Sequence, residues 1–211
     1  MTTKAGVSTS QHHNPNIAGR EAAEQALKNA GVAKPDFVFM FASIGYDQRS
    51  LLRAVRETTG GAPLSGCSVE GTIGGDNTDE SNFSVVVTAI SSEELQWHNG
   101  IVTGLSGDSH AVGQRVAQAL LPNLSPSTVG LFVFPDGMSA IFDTFFTANF
   151  DNFLAGLEGN LPSDRFLPLW GGGPATTSML EHLPISIATT KSSLTGLPTR
   201  CSQVRHRLVG P

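Results

Sequence analysis

The chain has 211 residues, 39% of them hydrophobic and 15% charged, with a formal net charge of −5. That is long enough to bury a sizeable core, and the absence of any Lys/Arg cluster argues against nucleic acid as a ligand, since phosphate binding needs concentrated positive charge. No apolar run reaches membrane-spanning length, and Met1 to Asn16 lacks the basic-then-apolar layout of a signal peptide, so the expectation is a cytosolic protein with no membrane contact. Cys67 and Cys201 are the only cysteines, and they form neither a metal-ligand spacing nor a disulfide framework; no cofactor and no metal are expected.

In chain order, residues 1–16 carry Ser, Thr, Asn and His without periodicity and are expected to be a mobile lead-in. Ile17, Ala18, Ala22, Ala23, Ala26 and Leu27 follow helical spacing, with Gly31 beyond them as a stop. Pro35-Asp36 turns the chain into an apolar strand, Phe37 to Ala42. A polar turn from Ser43 to Asp47 precedes a helix from about Gln48 to Thr58, and a second apolar strand runs from Ala62 to Ser68. Gly74 to Glu80 is a polar loop with strong turn chemistry. Asn82 to Ile90 is rich in β-branched residues, and Leu95 to Leu105 is expected as its antiparallel neighbour. Asp108-Ser109 can cap a helix whose apolar stripe is Val112, Val116, Ala119 and Leu120, and Pro122 to Pro126 closes it.

Then the strand–turn–helix–strand pattern recurs. Val129 to Phe134 is apolar, Pro135-Asp136-Gly137 is a turn, Met138 to Leu157 reads as a helix, and Phe166 to Gly173 ends in three glycines. Each occurrence is a parallel strand–helix–strand unit, whose handedness puts both strand ends on one edge of the sheet, the edge where open α/β sheets bind ligands. The expected class is therefore α/β, a mixed β-sheet flanked by helices and built on two such units. Strand ends at Ser43, Gly66, Asp136 and Gly171 are predicted to converge on one place. Gly66-Cys67-Ser68 and Gly171-Gly172-Gly173 are small enough to leave backbone amides open to an anion, or to allow close packing; both readings stay open. Asp47 and Asp136, with Gly137, occupy equivalent turns. There a carboxylate can receive a ligand ammonium or cap the helix that follows, and capping is the favoured reading.

Arg20 to Leu27, Pro35 to Ser43, Leu64 to Ser68 followed by Gly71, Phe134-Pro135-Asp136-Gly137 and Trp170-Gly171-Gly172 together resemble the amino-terminal domain of the FIST family. The likeness spans residues 17–175 in the family's order. It implies a sensory, ligand-binding module of intracellular signal transduction, with amino acids or similar metabolites as candidate ligands. It also implies a carboxy-terminal companion domain, for which this chain is too short, so a missing companion domain or partner protein is expected. From Thr176 onward acidic residues nearly vanish and the end turns basic. Back-translating Thr176 to Pro184 and moving the start back one base permits Asp-Asn-Phe-Asn-Ala-Gly-Thr-Pro-Thr, which resembles the family's continuation. Residues 176–211 are thus expected to be an atypical tail read out of frame, the alternative being an ordinary polar extension.

Two rival functions come from other classes. Cys67 invites a nucleophilic role, but neither His98 nor His110 is placed beside it by the sequence, and a free cysteine is commonly a small buried hydrophobe. An interaction scaffold without ligand is the third reading. Asp76, Asp79 and Glu80 lack the alternation of a calcium loop, and a solvated hairpin loop is expected there. Phe142, Phe145, Phe146, Phe150 and Phe153 recur at three- and four-residue steps, the spacing of a core face, any exposed remainder being a docking place for the missing companion.

Overall fold

The chain opens with a strand that composition conceals. In the computed structural model, which describes residues 2–103, 108–135, 146–164, 166–172 and 182–190, β1 (Thr3–Ser10) pairs antiparallel with β6 (Val85–Ser92) over its whole length. This corrects the expectation of a mobile lead-in: Gly6 sits so close under the first helix that a Cβ there would lie 2.2 Å from Ala30 N. That helix, α1 (Pro15–Ala30), starts because the Asn14 side chain accepts from Asn16 N and Ile17 N. It stops because Gly31 takes a left-handed conformation, φ 66°, with Val32 N returning to Leu27 O at 3.1 Å. Its buried face is Ala18, Ala22, Ala23, Ala26 and Ala30, side chains short enough to let the helix lie close on the sheet.

The first unit continues with β2 (Phe37–Ser43), α2 (Gln48–Thr58) and β3 (Leu64–Val69). A short antiparallel hairpin of β4 (Thr72–Gly74) and β5 (Asn77–Asp79) precedes β6, in agreement with the turn chemistry of Gly74 to Glu80. Sheet order is β1-β6-β2-β3, with β2 parallel to β3 and antiparallel to β6.

The second unit repeats this plan with β7 (Leu95–Thr103), α3 (Ser109–Leu120), β8 (Thr128–Val133), α4 (Phe146–Glu158), β9 (Leu169–Gly171) and β10 (His182–Thr190). Its order is β7-β10-β8-β9, with β8 parallel to β9 and antiparallel to β10. Element for element this is the order of the first sheet. The duplication legible from Phe37 and Val129 therefore extends to both flanks, back to β1 and β7 and forward to β6 and β10. The expected α/β class with a mixed sheet flanked by helices holds, and there are two such sheets. The expectation that β7 pairs with the strand before it is corrected: β6 pairs with β1 and β2, while β7 pairs with β10 in the other sheet. Strand β10 lies within the compositionally distinct segment after Thr176.

Side-chain alternation sorts the two faces of each sheet. Val38, Met40, Val87 and Ala89 meet α1 and α2, and Leu131 and Val133 meet α3 and α4 through Val112, Val116, Ala117, Phe153 and Leu157. Ala117 rather than Ala119 completes the α3 stripe, since Ala119 is exposed. The opposite faces meet each other through aromatic rings: Phe37 stacks on Trp97 at 4.4 Å, Phe39 meets Phe132 at 4.9 Å, and Phe41 meets Phe134 at 5.4 Å. The layers thus run helices, sheet, sheet, helices. Of the phenylalanine stripe, Phe153 is buried, Phe150 is 41% exposed, and Phe142 and Phe145 lie outside the described residues, as does the start of the predicted helix from Met138.

Candidate functional site

The ring contacts fix the relative direction of the two sheets. From Phe39–Phe132 to Phe41–Phe134 both strands advance by two residues, so β2 and β8 run in the same sense. Since β3 is parallel to β2 and β9 to β8, all four strands finish at one end of the molecule. The tips beyond Ala42, Leu64, Phe134 and Trp170 therefore share a rim.

Two of the rim's predicted residues are occupied by the fold. Ser43 is buried; its Oγ accepts from Ser84 N at 2.8 Å and donates to Ser84 O at 3.2 Å, stitching the end of β2 to the start of β6. Ser84 is in turn hydrogen-bonded through its hydroxyl to Thr72 on β4. Asp47 is the N-cap of α2, accepting from Arg49 N at 3.2 Å and from Ser50 Oγ at 2.6 Å. The Ser50 hydroxyl is the main cause that holds its carboxyl below the usual range, and capping is the role its contacts carry.

Gly66 and Gly171 occupy the same place in the two units. Gly66 is opposite Met40, Gly171 opposite Val133, with φ of 153° and 156°. A Cβ at either would lie 1.7 Å from the carbonyl oxygen of that partner. Glycine is thus required by a close approach between strands, whatever else the amides do. Gly172 is different: it is exposed, and nothing lies within 4 Å of a Cβ built there. Cys67 is opposite Phe41 and on the face that meets the second sheet, and Ser68 is opposite Ala42, half-buried. Asp136, Gly137 and Gly173 lie outside the described residues.

Burial pushes the Cys67 thiol up to about 12, so at neutral pH the thiolate is scarce and the residue behaves as an apolar side chain. In a chain carrying Cys201→Ser, iodoacetamide at pH 8 is expected to label Cys67 more slowly than free cysteine, with no plateau in rate below pH 9. Labelling faster than free cysteine would show an activated thiol.

Sequence reasoning missed the part of the rim supplied by β1 and by the β4–β5 hairpin. A Cβ on Gly74 would lie 2.4 Å from Thr9 Cγ2 and 3.0 Å from Val86 Cγ2, so the hairpin lies across the inner face of the first sheet at this end. Gln11 Nε2 donates to Asp79 Oδ2 at 2.7 Å, His13 stacks on Phe83 at 4.5 Å, and Tyr46 meets Phe83 edge-on at 5.4 Å. The Tyr46 hydroxyl donates to His12 O at 3.1 Å. Burial first, then the charges of Asp79 and Glu21, raise it to about 12, which keeps it a neutral donor. The signal that could have found this edge is the alternation of Val7 and Thr9 with Gly6 and Ser8, short and mostly polar. Among the described residues, no group of three or more His, Cys, Asp or Glu side chains is placed to hold a metal ion, and no helix is long and apolar enough to cross a membrane.

A family description, FIST N domain, matches residues 36–186. Among solved structures the chain is similar to a cyanuric acid hydrolase from A. caulinodans, at 12% identity and a TM-score of 0.47, covering 92% of this chain and 69% of that one. It is also similar to a chorismatase, at 11% identity and a TM-score of 0.38, covering 90% of this chain and 55% of that one. No curated protein matches the sequence. The family match takes in most of the chain, including β2 to β9, and the chain belongs to the FIST N domain family.

Proposed function

We propose that this member of the FIST N domain family is a small-molecule sensing module whose ligand, an amino acid or similar metabolite, sits at the shared rim. The observation that supports the reading is that β2, β3, β8 and β9 finish at one end of the molecule, the end that carries Cys67 and Ser68 in one unit and Gly172 in the other. Strand ends whose small residues can leave backbone amides open, beside the Phe41–Phe134 ring pair, would suit a ligand with one carboxylate and a small side chain. Ser43 and Asp47 drop out as direct contacts because their polar atoms are already engaged, and Asp136 is left as the carboxylate proposed to meet an ammonium. Ligand stabilises one arrangement of the module against a companion domain or partner protein, and the signal is that shift in population.

A thermal-shift screen of the full chain against the amino acids and small carboxylates tests this. A ligand at about a hundred times its Kd stabilises the fold by about 2.7 kcal/mol, a rise of several degrees. Gly172→Leu is expected to abolish that shift and leave the unliganded midpoint within a few degrees, because the position is sterically open. A screen with no hit favours a scaffold without ligand. Turnover of a hit, lost in Cys67→Ala, favours an enzyme, a reading against which the raised thiol weighs.

A further inference from the structure

Three exposed isoleucines fall at the rim end of the molecule, each from a different element. Ile44, 44% exposed, is the first residue beyond β2. Ile73, 76% exposed, is the middle residue of β4. Ile101, 61% exposed, lies on β7 opposite Pro184, the neighbour of the Ile185 that pairs with Val133, and so stands level with Phe134.

The direction of Ile73 is set by its neighbours. Thr72 is buried and hydrogen-bonded through its hydroxyl to Ser84, and Gly74 lies against Thr9 and Val86, the latter the register partner of Phe41. Alternation along β4 therefore turns Ile73 away from the first sheet, on the β6 side of the last ring pair, Phe41–Phe134. The hairpin holds it there: β4 and β5 are joined by a tight turn with Gly75 at φ 61°, and Asp79 at the end of β5 accepts from Gln11 Nε2 at 2.7 Å and Ser81 N at 2.8 Å. Ile101 belongs to the other side. Asn99, two residues before it on the same face of β7, donates to Leu64 O of β3 at 3.2 Å, and β3 and β6 flank β2 on opposite sides. The isoleucines are thus spread across the rim, with Ile44 at the β2 exit between the other two. Exposed Gly45, Asp47 and Asp76 interrupt them, and three side chains fall far short of the ~800 Å² that each partner of a stable protein complex buries. The arrangement suits an aliphatic chain of a few carbons.

We propose that Ile44, Ile73 and Ile101 select the ligand by its side chain, and that the ligand is an aliphatic amino acid. The inference rests on the rim reading and adds a ligand class to it. Calorimetric titration of the full chain with alanine, valine and leucine tests it. Each buried carbon is worth about fourfold in affinity, so leucine is expected to bind about tenfold or more tighter than alanine, with valine between them. Ile73→Ser and Ile101→Ser are each expected to cut that advantage about threefold or more and to leave the alanine affinity within about twofold. Both side chains are exposed, so the unliganded thermal midpoint should stay within a few degrees of wild type. Val129→Ser is the control: Val129 is also exposed, but it lies near the start of β8, at the far end of the molecule, and the leucine advantage should survive its loss. No binding by any of the three amino acids removes the rim reading and this inference with it. Binding without a leucine advantage, or an advantage that survives both rim variants or falls equally in Val129→Ser, overturns this inference alone and leaves the rim reading standing.

Discussion

Gly66→Ala is expected to abolish soluble, cooperatively folding protein, and Gly171→Ala to do the same through the second unit. The new Cβ would fall 1.7 Å from Met40 O in one case and Val133 O in the other, less than half an ordinary contact. The obstructing atom is backbone in the middle of a strand pair, so no rotamer change relieves it; β2 and β3 have to separate locally. Strand separation forfeits neighbouring ladder bonds and the apolar contacts beneath them, and the left-handed side of φ adds strain of its own. The sum exceeds about 4 kcal/mol, a large part of the ~5–15 kcal/mol that a domain has in total. Gly31→Ala is the informative control: its φ of 66° is as unusual, yet nothing lies within 4 Å, and its cost should stay near 1 kcal/mol. Soluble yield and the thermal midpoint check both. A Gly66→Ala protein that melts within a few degrees of wild type would mean that β3 does not approach β2 this closely.

That pair of glycines also marks how far the sequence could be read. Both end apolar strands in runs of small residues, which is visible in the chain, and the repeat they belong to is visible because β2 and β8 are unbroken apolar runs covered on both sides. The first strand was not legible. Strand β1 has a helix on one side only and exposes Thr3, Lys4 and Ala5, so its composition is that of a polar tail, and what makes it a strand is the ladder to β6, a partner some eighty residues away in sequence. Pairing of β6 with β7 was the economical reading of two neighbouring β-rich runs, and it failed because each strand belongs to a different unit and the boundary between the units falls between them. At the rim, the strand ends were legible from handedness alone, whereas the engagement of Ser43 by Ser84 and the folding of the hairpin over Thr9 depend on tertiary neighbours that no local pattern encodes.

The joint between the units yields the second large effect. Phe37 is fully buried, stacked on Trp97 at 4.4 Å and edge-on to Phe39 at 5.0 Å, so Phe37→Ala opens a cavity between the sheets and is expected to cost about 3–5 kcal/mol. Leu51→Ala removes an equally buried side chain on α2 at about 2–5 kcal/mol, but from the core that one unit owns. Both variants should melt earlier, by roughly 5–20 °C for a chain of this length, and the form of the transition should separate them. Loss of Phe37 weakens the contact that makes two βαβ-based halves unfold together, so its transition is expected to split, with fluorescence of Trp97 reporting the early step in a Trp170→Phe background. Loss of Leu51 leaves the joint intact and the transition single. The expectation follows because each half has its own helix-covered core and the rings of β2, β7 and β8 meet between the sheets, so that this aromatic layer is the coupling the variant weakens. A Phe37→Ala protein that unfolds in one step, with fluorescence and circular dichroism superimposed, would show that the halves are coupled by something other than this layer.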